Sequence, residues 1–330
     1  MTIHPTRRLI AAAAGALALL GGAAAADDDM DYYMSVFEPL PALPPIPADN
    51  SLTAAKVELG KMLFFEPRLS SSGVISCATC HNPALGWADR LPRGTGHEGQ
   101  VGLRNTPTVL NSGFLPNQFW DGREPDLEGQ ALGPIQAPDE MAMDIEEALK
   151  RIEQFDVYIE HFARAYPDDP DPINAQNVAH AIASFERTLN TPNSPFDRFL
   201  RGDTQAMSEQ QVRGMMAFAD NGCVACHQGP ALTDGLFHRF DLPGPTDLGR
   251  FVVTGEEQDR YAFRTPTLRN VAVTYPYFHN GSIGNLHDAV NLMGEQMLGQ
   301  EFDDDTLDDI VAFLHALTGE MPPVTIPALP

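Results

Sequence analysis

A mainly α-helical fold of two similar halves, with long ordered loops and little strand, is what this chain predicts, and three observations carry that expectation. One cysteine-histidine motif occurs twice. Each copy follows a segment with helical spacing of apolar residues. Glycine and proline, 27 and 28 of the 330 residues, crowd the stretches after each copy. The motif is Cys-x-x-Cys-His, at Cys77-Ala78-Thr79-Cys80-His81 and Cys223-Val224-Ala225-Cys226-His227, and the two copies use all 4 cysteines.

That spacing is the one used for covalent c-type haem attachment. On a helical turn, residues three and four apart share a face. Two thiols can then form thioethers with the two vinyl groups of one porphyrin while the next imidazole reaches the iron. Structural zinc, a redox dithiol or two disulfides would each account for the cysteines. None of them accounts for a histidine after both pairs. The expected architecture is therefore two cytochrome c-like haem domains related by internal duplication.

Taken in order, the first 26 residues read as a cleaved export signal. Arg7 and Arg8 precede an apolar run over 9–20, and Ala24-Ala25-Ala26 forms a small-residue cleavage site before Asp27. The run is shorter than the roughly 20 residues of a bilayer span, so no membrane span is expected and the compartment is periplasmic. A proline-rich lead covers 27–50. Helical spacing over 52–65 is closed by Pro67, and a Ser-Gly turn over 70–73 delivers the first motif. The stretch 82–121, with Gly94, Gly96, Gly99 and Gly102, has no strand or helix period, and a loop of that length is usually functional or wrapped on a cofactor.

Helices resume at 144–151, 155–166 and 173–189. The segment 191–203, with Pro192 and Pro195, reads as the domain boundary. Ser208 and Gln211 then form a capping box for a helix over 209–219. After the second motif come a loop-rich stretch over 230–277 and helices over 286–293 and 306–317. The domains so defined are 51–203 and 204–330. The net charge of −24 makes nucleic acid an unsuitable partner; such a field steers basic proteins instead.

At the level of longer motifs the chain resembles the bacterial dihaem cytochrome c peroxidases, including the related MauG-like maturation enzymes. The resemblance rests on Arg104-Asn105-Thr106-Pro107-Thr108-Val109-Leu110-Asn111, on Phe119-Trp120-Asp121-Gly122-Arg123, on Gln130 through Pro134 to Met141, and on Leu268-Arg269-Asn270-Val271 onward to Met293-Gly294. It implies an N-terminal peroxidatic domain and a C-terminal electron-transfer domain. The second haem iron would take His227 and Met293 as axial ligands, a thioether ligand raising its potential; Met297, one turn on, is a rival by spacing. The first would take His81, with His97 as a removable distal ligand on a glycine-rich loop.

The same resemblance implies Glu140 as the acid-base residue, with Gln130 as a hydrogen-bond partner, Pro134 shaping the pocket and Trp120 lying between the haems. Asn105, Thr274 and Pro276 match positions that hold a calcium ion between the domains in relatives. Cofactors would be two covalent c-type haems and one calcium ion. The substrate would be hydrogen peroxide and the donor a small cytochrome c or cupredoxin; relatives are often homodimers. Two other readings stay open: a MauG-like oxidase acting on a protein substrate, against which the lack of a tyrosine at the Met293 position counts, and a non-catalytic dihaem electron carrier.

Overall fold

The structure, a computed structural model, describes residues 30–244 and 246–330. The export signal expected over 1–26 lies outside the described residues. Besides a helical stretch over 30–35, nine helices longer than a single turn organise the described residues: α1 (Ala54–Phe64), α2 (Leu127–Gln136), α3 (Ile145–Ile152), α4 (Asp156–Ala165), α5 (Ala175–Glu186), α6 (Pro195–Leu200), α7 (Glu209–Asp220), α8 (Leu286–Met293) and α9 (Asp304–Ala316). Two three-residue antiparallel strands, β1 (Phe237–Arg239) and β2 (Ala262–Arg264), form the one sheet among the described residues.

Local chemistry sets the helix starts. Thr53 accepts from the Lys56 N–H at the head of α1, Asn174 from Asn177 at the head of α5, and Ser208 and Gln211 form the expected capping box on α7. Helix α2 lies between the period-free stretch 82–121 and the first helix expected after it, where no element was expected. Gly129, Gly133 and Pro134 blur its pattern, yet Asp126 caps it through the Gly129 N–H, and Pro134 sits in its last turns. Helix α6 lies inside the expected boundary segment, where Phe196 and Phe199 are buried in the second core.

The duplication is visible in packing. Helix α1 crosses α5 so closely that a methyl group on Gly60 would collide with the Ala181 carbonyl; in the second half α7 crosses α9, and Gly214 meets the Asp309 carbonyl in the same way. Counting from that contact, Phe185 matches Phe313, Glu186 matches Leu314 and Leu189 matches Leu317. The loops repeat too. Thr106-Pro107-Thr108 and Thr265-Pro266-Thr267 each lead to an asparagine in the left-handed region, Asn111 at φ 61° and Asn270 at φ 62°. The N–H of Asn111 donates to the Leu189 carbonyl at 2.9 Å and that of Asn270 to Leu317 at 3.2 Å. Both side-chain amides donate to one acceptor, Thr191 Oγ1, each at 2.8 Å.

The halves are also cross-tied. Asn105 N donates to the His279 carbonyl at 2.7 Å, and its counterpart Arg264 N donates to the Trp120 carbonyl at 2.8 Å. Around these ties lie two apolar cores. Leu59, Leu63, Phe64, Trp87, Ile182 and Phe185 belong to the first, and Phe196, Met215, Phe218, Phe313 and Leu317 to the second. The ends of the chain exchange sides: Phe37 of the lead enters the second core, while Val324 and Leu329 of the tail pack on the first. A fully buried ion pair, Arg269 to Asp197 at 2.8 Å, holds the lead, because Asp197 also accepts from the Leu40 N–H and Arg269 donates to the Glu38 carbonyl.

Candidate functional site

Each Cys-x-x-Cys-His occupies one helical turn at the wall of a cavity. Cys77–Cys80 is a single turn ending at His81, and Cys223–Ala225 a tighter turn leading to Cys226 and His227. His81 Nδ1 lies 3.4 Å from the Trp87 carbonyl and His227 Nδ1 3.2 Å from the Leu232 carbonyl. Such a contact orients the ring and leaves Nε2 with its lone pair, the arrangement a metal-bound imidazole uses. Burial lowers the pKa of both rings, His227 to about 4, and keeps them neutral. All four thiols are unbridged and pushed up by burial, Cys80 and Cys223 to about 11. They lack the lowered pKa of a redox dithiol.

One cavity of about 820 Å³ runs from the first motif to the second. Its wall brings together Cys80, His81, Gln130, Pro134 and Glu140 from the first half and Cys223, Cys226, His227 and Met293 from the second, with Asn105, Trp120, Thr274 and Pro276 between them. Cys77 lines an adjoining recess with Cys80, His81, Gln130, Pro134 and Glu140. The two motifs, far apart in sequence, thus share a single space.

Glu140 follows α2. Burial, then Asp139 beside it, raises its pKa against the opposing pull of Arg123. Trp120 donates from Nε1 to the Asn105 carbonyl at 2.9 Å, which fixes the indole between the halves. Met293 ends α8 and is followed by a π-helical turn, Gly294–Leu298; it and Met297 both face the cavity. His97 stands apart. Gly94, Thr95, Gly96 and Gly102 of its loop line the cavity, but His97 does not; its Nε2 is 3.7 Å from Glu98 and its buried Nδ1 has no hydrogen-bond partner. The loop is nevertheless tied to the Glu140 backbone, since His97 N donates to the Glu140 carbonyl at 2.7 Å.

Three wall residues escaped the sequence reading. Arg264 is buried and, among the described residues, finds only carbonyl partners, Phe119 at 3.3 Å and Thr265 at 3.1 Å, and burial lowers its pKa to about 10. His279, the counterpart of Trp120, stacks on Phe263 at 3.7 Å and presents an edge to Trp120 at 6.5 Å. Glu186 ends α5 and faces both the recess and the main cavity. The repeated Thr-Pro-Thr and Phe-x-x-Gly strings, aligned on each other, would have pointed to the first two.

These residues suit a porphyrin. A thiol pair and a ring nitrogen meet on one wall at each end, the cavity is mainly apolar in its lining, and an uncompensated buried cation such as Arg264 fits a group that carries carboxylates. Zinc has a weaker case. Among the described residues one metal-capable trio, Cys226, Asp234 and His238, has its ligand atoms within 4.8 Å of one another, but Cys226 belongs to the second motif and His238 Nε2 is already paired with Asp234 at 2.8 Å.

Fold and site together define a double cytochrome c unit with one shared haem cavity. Residues 54–205 match the di-haem cytochrome c peroxidase family and residues 211–318 match the cytochrome c family. The chain is 44% identical over 308 residues to cytochrome c551 peroxidase of Pseudomonas aeruginosa, covering 91% of this chain and 89% of that one. It is 42% identical over 300 residues to the methylamine utilization protein MauG of Methylorubrum extorquens, covering 87% and 84%. A crystal structure of a MauG-like protein associated with microbial copper homeostasis superposes with a TM-score of 0.79 at 28% identity, over 86% of this chain and 94% of that one. The chain belongs to the di-haem cytochrome c peroxidase family, and it is a haem-dependent peroxidase that carries two haems.

Proposed function

We propose that the protein reduces hydrogen peroxide to water with electrons from a small cytochrome c or cupredoxin, in the periplasm. The carrying observation is the single cavity that joins an acid-bearing pocket at one Cys-x-x-Cys-His to a methionine-bearing pocket at the other, with Trp120 between. Cys77, Cys80 and His81 would hold one haem, and Cys223, Cys226, His227 and Met293 the other, each haem attached through thioethers. The bound haems supply the electron transfer that breaks the O–O bond.

The side chains handle protons and position. Glu140, with its pKa raised, takes the proton from one peroxide oxygen and delivers it to the other. Gln130, across the recess, hydrogen-bonds the bound peroxide, and Pro134 limits the volume available to it. Trp120 fills the space between the two ends. His97 would reach the first haem's iron as a removable ligand only if its loop moved, since its side chain does not line the cavity, and the glycines around it allow such a swing. One peroxide, two electrons and two protons give two waters, so each turnover consumes two one-electron donors.

Asn105, Thr274 and Pro276, all on the cavity wall between the halves, would supply neutral oxygens to a calcium ion, with water completing its shell. The acidic surface suits a basic donor. The test is a stopped-flow peroxide assay on holoprotein, oxidised against half-reduced, with a reduced cytochrome c. Rapid donor oxidation, faster after half-reduction, supports the reading. Slow turnover with a long-lived oxidised state would favour a MauG-like oxidase, and no peroxide-dependent oxidation would leave an electron carrier.

A further inference from the structure

The two halves offer an internal comparison at matching positions in the last turn of the helix beside each motif. In the second half the residue is Leu314, buried and lining the cavity, as an apolar cofactor edge requires. In the first half it is Glu186, 4% exposed. The surroundings oppose a charge there. The carboxyl sits at the C-terminus of α5, the negative end of the helix dipole, and it has no hydrogen bond from any described residue. Arg187, next in sequence, is engaged elsewhere, donating to both Glu128 oxygens at 2.6 and 2.8 Å. Burial raises the Glu186 pKa to about 8 against the opposing pull of the Arg187 charge, with the Glu128 charge adding to the rise. The fold of the second half shows that leucine fits this place, so the carboxyl is not there for packing.

We propose that Glu186 is the proton-coupled group of the first pocket: its carboxylate takes up one proton from solvent when the haem held there gains one electron, and releases it on reoxidation. The inference rests on the haem assignment made above. Its physics is electrostatic compensation. An added electron removes one positive charge from the pocket, the carboxylate loses that attraction, and it binds a proton more tightly. The electron comes from the one-electron carrier protein, or in a titration from a small mediator. The other titratable and charged groups that act on Glu186 are the paired Arg187 and Glu128 beside it, Glu140 across the recess, and Cys77, Cys80 and His81 on the motif turn, of which the last three are committed to the cofactor. Glu186 acts through charge on the pocket and is a positioning residue, distinct from the acid-base group.

The test uses holoprotein, with two haems first confirmed by pyridine haemochrome; a shortfall there would reject the haem assignment itself. Spectroelectrochemical titration of the first haem from about pH 6 to about pH 9 should show a potential that falls as pH rises, by 59 mV for each tenfold change in proton affinity. Glu186→Gln, nearly isosteric, and Glu186→Leu, which copies the second half, should both flatten that slope and remove up to one proton of uptake per electron. Glu140→Gln should leave the slope in place. A flat wild-type profile, or a slope that survives in Glu186→Gln, would overturn the proposal.

Discussion

Glu140 and Gln130 are both on the recess beside Cys77 because α2 and the turn after it carry them there. Replacing Glu140 by Gln keeps the shape and removes the proton carrier. Peroxide turnover should fall by about 10²-fold or more with haem content unchanged, a result read by stopped-flow assay beside a haemochrome count. The two methionines allow a sharper test. Met293→Leu should abolish the upfield methyl resonances of a bound methionine in the proton NMR spectrum of the reduced protein, and Met297→Leu should keep them. The opposite pattern would move the ligand one turn along the π-helical segment. At this scale the attachment motifs were legible from sequence, since each needs only five consecutive residues on one turn. Glu186 was not: in the sequence it is one acid near the end of an apolar helix, and only its position beside the first motif gives it a role.

Helix pairs hold the motif turns in place, and their closest points are glycines. At Gly60 and Gly214 the partner helix backbone leaves no room for a methyl group, so Gly60→Ala should lower stability by about 1–3 kcal/mol, measured by thermal unfolding of holoprotein. The clamp between α2 and α5 is electrostatic. Burial acts to raise the Glu128 pKa, but hydrogen bonds from Arg187 and Asn50 outweigh it and the net shift is downward. A carboxylate with a depressed folded-state pKa stabilises the fold above its unfolded value of about 4.3 and loses that contribution as pH falls through the folded value. The gap in melting temperature between wild type and Glu128→Gln should therefore narrow as the pH drops below about 4. Helices α1, α3, α4, α5, α7, α8 and α9 were legible from spacing and caps. Helix α2 was not, because two glycines and a proline removed its period while Asp126 and packing supplied the helix.

Across the whole molecule, the net charge of −24 should make turnover with a basic cytochrome c fall as salt rises. A rate indifferent to ionic strength would weaken the case for such a donor. The cross-ties from Asn105 to His279 and from Arg264 to Trp120, with Thr191 shared by both asparagines, make the halves a paired unit around the cavity. If calcium binds at Asn105, Thr274 and Pro276, chelation should loosen that pairing. The expected result is lower peroxidase activity and a lower melting temperature, both restored by added calcium.

The sequence by itself determined the two Cys-x-x-Cys-His turns, the repeated plan of helix, motif and loop, and the kinship of the chain, because each is written in contiguous residues or in a period along one helix. Tertiary structure alone decided that both motifs open onto one cavity, that Trp120 and His279 are counterparts facing each other, that Arg264 is a cation with no acidic partner among the described residues, and that Glu186 stands where the second half has Leu314. The physical reason is distance. Side chains separated by long loops meet only after the helices cross at their glycines, and burial, which sets the pKa of Glu186 and Arg264, is a property of that crossing rather than of any stretch of chain.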